Sequence, residues 1–235
     1  MNFGYSMPKA IIFDVDGTLY DQKKLRMFML FEMTIFILFR PWCLKDFKLL
    51  WDFRKHRERS ALNTVGDIDN QQYLYVARSS RVTPEKIREL VGDWILERPL
   101  KYLPSCRYPG VLELFYKLKQ RGIGIGVFSD YPSEAKLRAL GLSADVMVCS
   151  TDQHVDRLKP DPKGLLITAE KLGTPIEDCL FIGDRDEKDG ECARRGGMRY
   201  LILNRKKTNA SDSFRSYHQL NRIDGLKYEN LMAYI

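Results

Sequence analysis

With 235 residues, 44% of them apolar, the chain can bury a sizeable core and accommodate one catalytic-size domain plus a smaller insert. A net charge of +7 would attract phosphates, anionic lipids or nucleic acid alike, so it fixes the sign of a ligand without naming it. Five scattered cysteines and three histidines show no paired metal-binding spacing, and they point to a reduced, cytoplasmic setting.

The chain opens on Met1 to Met7, which reads as a short extension with no pattern of a secretory signal. The apolar run 9–13 then predicts a buried strand, and Asp14-Val15-Asp16-Gly17-Thr18 follows it directly. Side chains two apart on a strand share a face, so Asp14 and Asp16 project together while Val15 turns inward. Two such acids can bind a hard cation through oxygen and divide labour as nucleophile and proton donor. The competing reading is an ordinary strand-to-turn junction, since Asp, Gly and Thr favour turns. A calcium loop of the EF-hand type is excluded, because Gly17 follows a strand and stands fourth instead of sixth.

From Tyr20 to about Arg107 the periodicity is helical. Met27 to Phe39 is apolar except for Glu32 and Thr34 and is too short to span a bilayer, which takes roughly 20 apolar residues. Its methionine and phenylalanine density reads as the core of a helical unit. A substrate roof, a dimer face or a membrane-surface helix is the sharper alternative. The basic run Arg54 to Arg59, and Arg78 with Arg81, read as solvated helix faces, and His56 reads as a surface residue. The clearest helix starts at a Thr83 cap with Pro84 in the first turn, and Ile87, Leu90, Val91, Trp94 and Ile95 line one face.

Beyond Arg107, strand patterns at 123–128, 144–149, 178–183 and 198–203 alternate with helices at about 109–122 and 161–172. This is the rhythm of a parallel α/β sheet, whose ligand site lies at the carboxyl ends of the strands. There the second strand delivers Ser129 and Asp130, the segment Leu158-Lys159-Pro160-Asp161-Pro162 delivers Lys159, and the fourth strand delivers Asp184 with Asp189 following. Ser129 can donate to a phosphate oxygen and Lys159 supplies a compact positive charge, while Asp184 completes an oxygen cage suited to magnesium. The stretch Arg205 to Ser216 reads as a surface loop, with a short strand and a helix near Leu226 to Tyr234 after it.

Taken together, DVDGT, VFSD, KPDP and GDRDEKD resemble, in the usual order, the four motifs of the haloacid dehalogenase superfamily of phosphohydrolases. The resemblance implies a Rossmann-like core over residues 1–20 and 107–235, with an α-helical cap domain over 21–106 inserted between the first two motifs. It implies that Asp14 is the nucleophile and Asp16 the general acid/base. It further implies magnesium held by Asp14, Asp184 and the Asp16 backbone carbonyl, with Asp189 behind or reaching the ion through water. Ser129, Asp130 and Lys159 would line the transferring phosphoryl group. Asp16 argues for phosphate over carbon–halogen chemistry, since dehalogenases of this fold usually lack that second aspartate.

Two departures from the usual pattern stand out: Asp130, where Asn is common, and Arg185, where a small hydroxyl residue is common. Arg185 is expected to pair with Asp186 or Glu187, or to reach the cleft. The expected activity is magnesium-dependent hydrolysis of a small organic phosphomonoester. Alternatives are a phosphomutase of the same superfamily, or a binding protein docking a membrane or partner through its apolar cap. A small phosphate ester is the expected partner and nucleic acid is not expected, because no recognition motif accompanies the charge.

Overall fold

The computed structural model describes residues 7–60, 66–205 and 212–222. Strands β1 (Ala10–Phe13), β2 (Gly124–Ser129), β3 (Val146–Cys149), β4 (Cys179–Gly183), β5 (Arg199–Leu203) and β6 (Ser213–Phe214) form one sheet. Its order is β3-β2-β1-β4-β5-β6, and every neighbouring pair is parallel. This is the expected Rossmann-like α/β architecture. β1 lies at the centre, where Phe13 pairs with Val127 on one side and Ile182 on the other. Asp14, Ser129 and Asp184 therefore emerge at one edge from three adjacent strands.

Alternation along β1 divides the core. Ile11, Phe13 and Val15 join the apolar cluster on one face, while Ala10 and Ile12 join Phe128, Leu165 and Ala169 on the other. The whole of β1 is buried, as a central parallel strand covered on both faces must be.

Helices α1 (Gln22–Phe39), α2 (Leu44–Ser60), α3 (Ile68–Ser80), α4 (Pro84–Val91) and the short α5 (Leu103–Cys106) lie between β1 and β2. Among the described residues, no strand of the sheet comes from this stretch. The two chain crossings into the sheet run side by side: the Asp21 amide donates to the Cys106 carbonyl at 2.8 Å, and the Tyr108 amide to the Leu19 carbonyl at 3.2 Å. Asp21 caps α1 by accepting from the Lys23 and Lys24 amides. Thr83 caps α4, and Ile87, Leu90, Val91, Trp94 and Ile95 are all buried. The sheet is flanked by α6 (Val111–Gln120), α7 (Glu134–Leu140), α8 (Lys163–Lys171), α9 (Glu191–Gly196) and α10 (Tyr217–Arg222).

Three expectations change. Met27 to Phe39 is only half core: Met29 is buried and Phe36 packs against Phe47 and Trp94, but Met27, Leu30, Phe31, Leu38 and Phe39 are 64–76% exposed. The basic run is not uniformly solvated, because Arg57 is buried. The end of the supposed loop Arg205 to Ser216 contributes β6, which extends the sheet beside Ile202 and Leu203. The helix expected near 226–234 and the extension before Met7 lie outside the described residues.

Candidate active site

Asp14 is fixed by its neighbours. Its amide donates to the Ile182 carbonyl at 2.9 Å, continuing the β1–β4 ladder one residue past the strand. Its Oδ2 accepts from the Thr18 hydroxyl at 2.8 Å and its Oδ1 from Lys159 Nζ at 2.5 Å. Gly17, at φ +100°, turns the chain so that the Thr18 hydroxyl can reach back. A Cβ on Gly17 would lie 2.2 Å from Asp184 Oδ2, so this close approach also brings Asp184 to the site.

Lys159 is buried between two acids, with Nζ 2.5 Å from Asp14 Oδ1 and 2.7 Å from Asp189 Oδ1. Asp189 also braces the loop after β4, its Oδ2 accepting from the Asp184 and Arg185 amides at 3.2 and 3.1 Å. Asp14, Asp184 and Asp189 thus offer oxygens within 4.8 Å of one another. Oδ1 of Asp184 is buried and has no hydrogen-bond partner. Burial pushes the Asp184 carboxyl up to about 8, with the negative charges of Asp14 and Asp189 adding to the effect. Burial likewise raises Asp14, to about 7, against the opposing charge of Lys159. Three acids around one lysine, with a buried oxygen left over, form a cluster short of positive charge, and its all-oxygen donor set suits a hard divalent cation.

Asp16 points to different partners. Lys136 Nζ lies 2.6 and 2.7 Å from its two oxygens, and the Tyr20 hydroxyl donates to Oδ1. Burial opposes its ionisation, but the Lys136 charge and these hydrogen bonds outweigh that and hold the carboxyl below the usual carboxylate range. Ser129 is buried at the end of β2. Asp130 accepts from the Ser150 hydroxyl at 2.7 Å and from the Lys159 amide at 3.2 Å. Burial of Asp130 is outweighed by the charges of Lys159, Arg57 and Lys188, so its carboxyl stays low. The carboxylate that departs from the usual Asn is therefore compensated by three cations and used to fix the lysine segment.

Arg185 pairs with Glu187 at 2.8 Å and with Glu58 of α2 at 3.2 Å, while Asp186 pairs with Arg194. Glu58 also takes Lys188 at 2.9 Å. Arg57, on the same turn of α2, donates to the Asp130 carbonyl and to Gln72 Oε1 and stacks 4.1 Å over the Tyr131 ring. These contacts tie α2 to the carboxyl edge of the sheet, directly beside the acidic cluster.

Sequence reasoning missed Lys136, Tyr20 and the inward role of Arg57. Arg57 had a signal: it stands four residues past Phe53 and seven past Leu50, and so continues the stripe of those two buried residues. Lys136 had a weaker one, a lysine beside the buried Leu137 in the helix that follows Ser129. His56 stacks on Tyr75, with ring centroids 3.6 Å apart, and does not join the acidic cluster.

A parallel sheet that gathers buried carboxylates and a buried lysine at its carboxyl edge, beneath an inserted helical layer, defines an acid-based α/β hydrolase site. Residues 8–197 match the family of haloacid dehalogenase-like hydrolases, and the chain belongs to that family. Among its relatives, the N-acetylmuramic acid 6-phosphate phosphatase of Pseudomonas aeruginosa is 35% identical over 98 residues, a match covering 40% of this chain and 43% of that protein. The glyceraldehyde 3-phosphate phosphatase of Methanopyrus kandleri is 24% identical over 204 residues, 86% of each chain. In fold, the chain is similar to the β-phosphoglucomutase of Clostridium difficile, with a TM-score of 0.63 at 18% identity over 97% of this chain and 99% of that one. Family and named relatives together support the enzyme class phosphoric monoester hydrolase.

Proposed function

We propose that this chain is a magnesium-dependent phosphatase that hydrolyses a small organic phosphomonoester through an aspartyl-phosphate on Asp14. The observation that carries the reading is the convergence of Asp14, Lys159, Asp184 and Asp189, with one buried carboxylate oxygen of Asp184 left without a partner. The Asp14 and Asp184 carboxylates, with the Asp16 carbonyl, would hold magnesium. Asp189, whose oxygens already take Lys159 and two backbone amides, stands behind them. When bound, the ion would neutralise charge on the phosphoryl oxygens and let Asp14 act as a carboxylate.

Asp14 attacks phosphorus with a carboxylate oxygen while the bond to the leaving alkoxide breaks, and Asp16, ionised in the free site by Lys136, relays to that alkoxide the proton carried in by the phosphomonoester monoanion. Water then attacks phosphorus with Asp16 taking its proton, which releases phosphate and restores Asp14. Lys159 holds the phosphoryl oxygens together with Ser129, and the salt-bridged layer of α2 excludes bulk water from the edge. Tyr20 and Lys136 set the charge of Asp16 between the two steps. The five unpaired cysteines fit a reducing, cytoplasmic setting.

The test is phosphate release from a panel of sugar, nucleotide, glycolate-like and lipid phosphates, with magnesium and with chelator. Release of one phosphate per ester consumed supports a hydrolase, whereas an isomerised ester without free phosphate indicates a mutase. No magnesium-dependent release from any class refutes the reading.

A further inference from the structure

The exposed face of α1 is chemically unlike the rest of the cap. Met27, Leu30, Phe31, Ile35 and Leu38 follow the spacing i, i+3, i+4, i+8, i+11, which places them on one stripe, and each is 42–76% exposed. The opposite face, carrying Leu25, Met29, Met33 and Phe36, packs into the core. α1 therefore has two apolar faces, and among the described residues only one is covered. The one polar side chain within the exposed stripe, Thr34, donates its hydroxyl to the Leu30 carbonyl at 2.8 Å, which satisfies it without water.

Charge selects the occupant. Between Gln22 and Arg57 every exposed charged side chain is a cation. Lys23 and Lys24 extend the apolar stripe by one turn at its start, and Arg40, Lys45 and Lys48 follow its end. The acids of this segment are less exposed than its cations: Glu32 is held by Arg98, Lys101 and Tyr102, and Asp46 and Asp52 are partly exposed. The link between α1 and α2 adds Trp42, 73% exposed, and an indole suits the headgroup level of a bilayer. A face meant for a second copy of this chain would set cations against cations around its rim. An anionic lipid surface meets both features at once, taking the stripe into the acyl boundary and the cations among the headgroups. No described helix is long and apolar enough to cross a membrane, so the fit is to lying on the surface.

We infer that the cap docks the enzyme on anionic membranes through α1, with Met27, Leu30, Phe31, Ile35 and Leu38 inserted at the interface and the flanking lysines and arginines pairing with lipid phosphates. The test uses the full chain and flotation with vesicles of phosphatidylcholine containing phosphatidylglycerol, beside vesicles of phosphatidylcholine alone. Binding to the anionic vesicles is expected to exceed that to neutral ones at least tenfold. It should fall at least fivefold for each flanking cation replaced by glutamate, as in Lys23→Glu or Lys45→Glu, because loss of one positive charge alone accounts for about fivefold and the new negative charge adds repulsion.

Phe31→Ser with Leu38→Ser is expected to lose at least tenfold in vesicle binding while phosphate release from a soluble ester and the far-ultraviolet circular dichroism stay at wild-type values. Equal binding to both vesicle types, or full binding by the double variant, overturns the inference. So does a lipid-free dimer that the double variant dissociates, combined with no flotation. Should Phe31→Ser with Leu38→Ser fail to fold, the glutamate variants, which remove no packing, decide the question through the same flotation ratio.

Discussion

Replacing Lys136 with methionine isolates what the Asp16 partner contributes. The pair is little exposed, with the Lys136 side chain 9% and the Asp16 side chain 17% accessible and both carboxylate oxygens within 2.7 Å of Nζ. Methionine keeps most of the aliphatic stem but removes the ammonium that lies over the Tyr131 ring, and it leaves the Asp16 carboxylate with the Tyr20 hydroxyl as its remaining side-chain hydrogen-bond partner. Removing one member of a buried pair costs about 3–5 kcal/mol, because the other charge remains desolvated. In a chain of this size that is a fall in Tm of about 6–20 °C at neutral pH.

The pH dependence has a definite sign. The Asp16 carboxyl is held below its ordinary 3.8 in the folded protein, so the pair's contribution is present above that pH and lost as acid protonates the native group. The Tm gap between wild type and Lys136→Met should therefore narrow on acidification. With burial no longer opposed by Lys136, the Asp16 group titrates higher, and the limb of the kcat profile that reports it should move toward alkaline pH. Adding Asp16→Asn to Lys136→Met removes the stranded charge and should recover most of the lost Tm, so the double-mutant cycle shows strong coupling. A Tm within about 2 °C of wild type, together with an unmoved pH limb, would refute the reasoning.

Asp14→Asn is expected to abolish phosphate release while keeping the fold, since the amide is nearly isosteric but a poor nucleophile; equal rates in the two purified proteins would contradict the assignment. Gly17→Ala should lower stability by about 1–2 kcal/mol from its positive φ alone, and its Cβ would displace the Asp184 carboxylate. Its magnesium requirement, read as the half-saturating concentration for activity, should rise by more than the Tm loss explains. In magnesium-free protein, Asp14 and Asp184 titrate above their ordinary 3.8, so their stabilising effect is present at acid pH and lost as pH rises toward about 8. The Tm gained on adding magnesium should accordingly grow from pH 5 to about pH 8, and Asp184→Ala should remove that gain. Glu32, lowered from 4.5 despite its burial by bonds to Lys101, Tyr102 and Arg98, makes the opposite prediction: the Tm penalty of Glu32→Gln is largest above pH 4.5 and shrinks below it.

What the sequence made legible followed from local rules. A short apolar run followed by an acid has one stable place in a parallel sheet, so Asp14, Ser129 and Asp184 could be set at its carboxyl edge from their strands alone. The observed strands begin or end within two residues of the apolar runs that announced them. Lys159 was legible because a lysine between apolar strands and a proline-bracketed turn has few roles, and the structure buries it between Asp14 and Asp189.

Contacts between distant segments were not legible in the same way. Lys136 meets Asp16 across 120 residues and Arg57 meets Asp130 across 73. Periodicity can report that a charged residue shares a buried face, but not which acid waits opposite. The apolar stretch of α1 shows the limit from the other side. Hydrophobic spacing at 25, 29, 33 and 36 specifies one covered face, yet Met27, Leu30, Phe31 and Ile35 between those positions are just as apolar. A helix with two apolar faces is satisfied in water only by burial on both, and the described residues cover one. Either the exposed stripe is a cost carried without return, or a second apolar phase meets it. The all-cationic surroundings of that stripe favour a phase bordered by negative charge, because ordinary solubility would be served equally well by glutamates at the same positions.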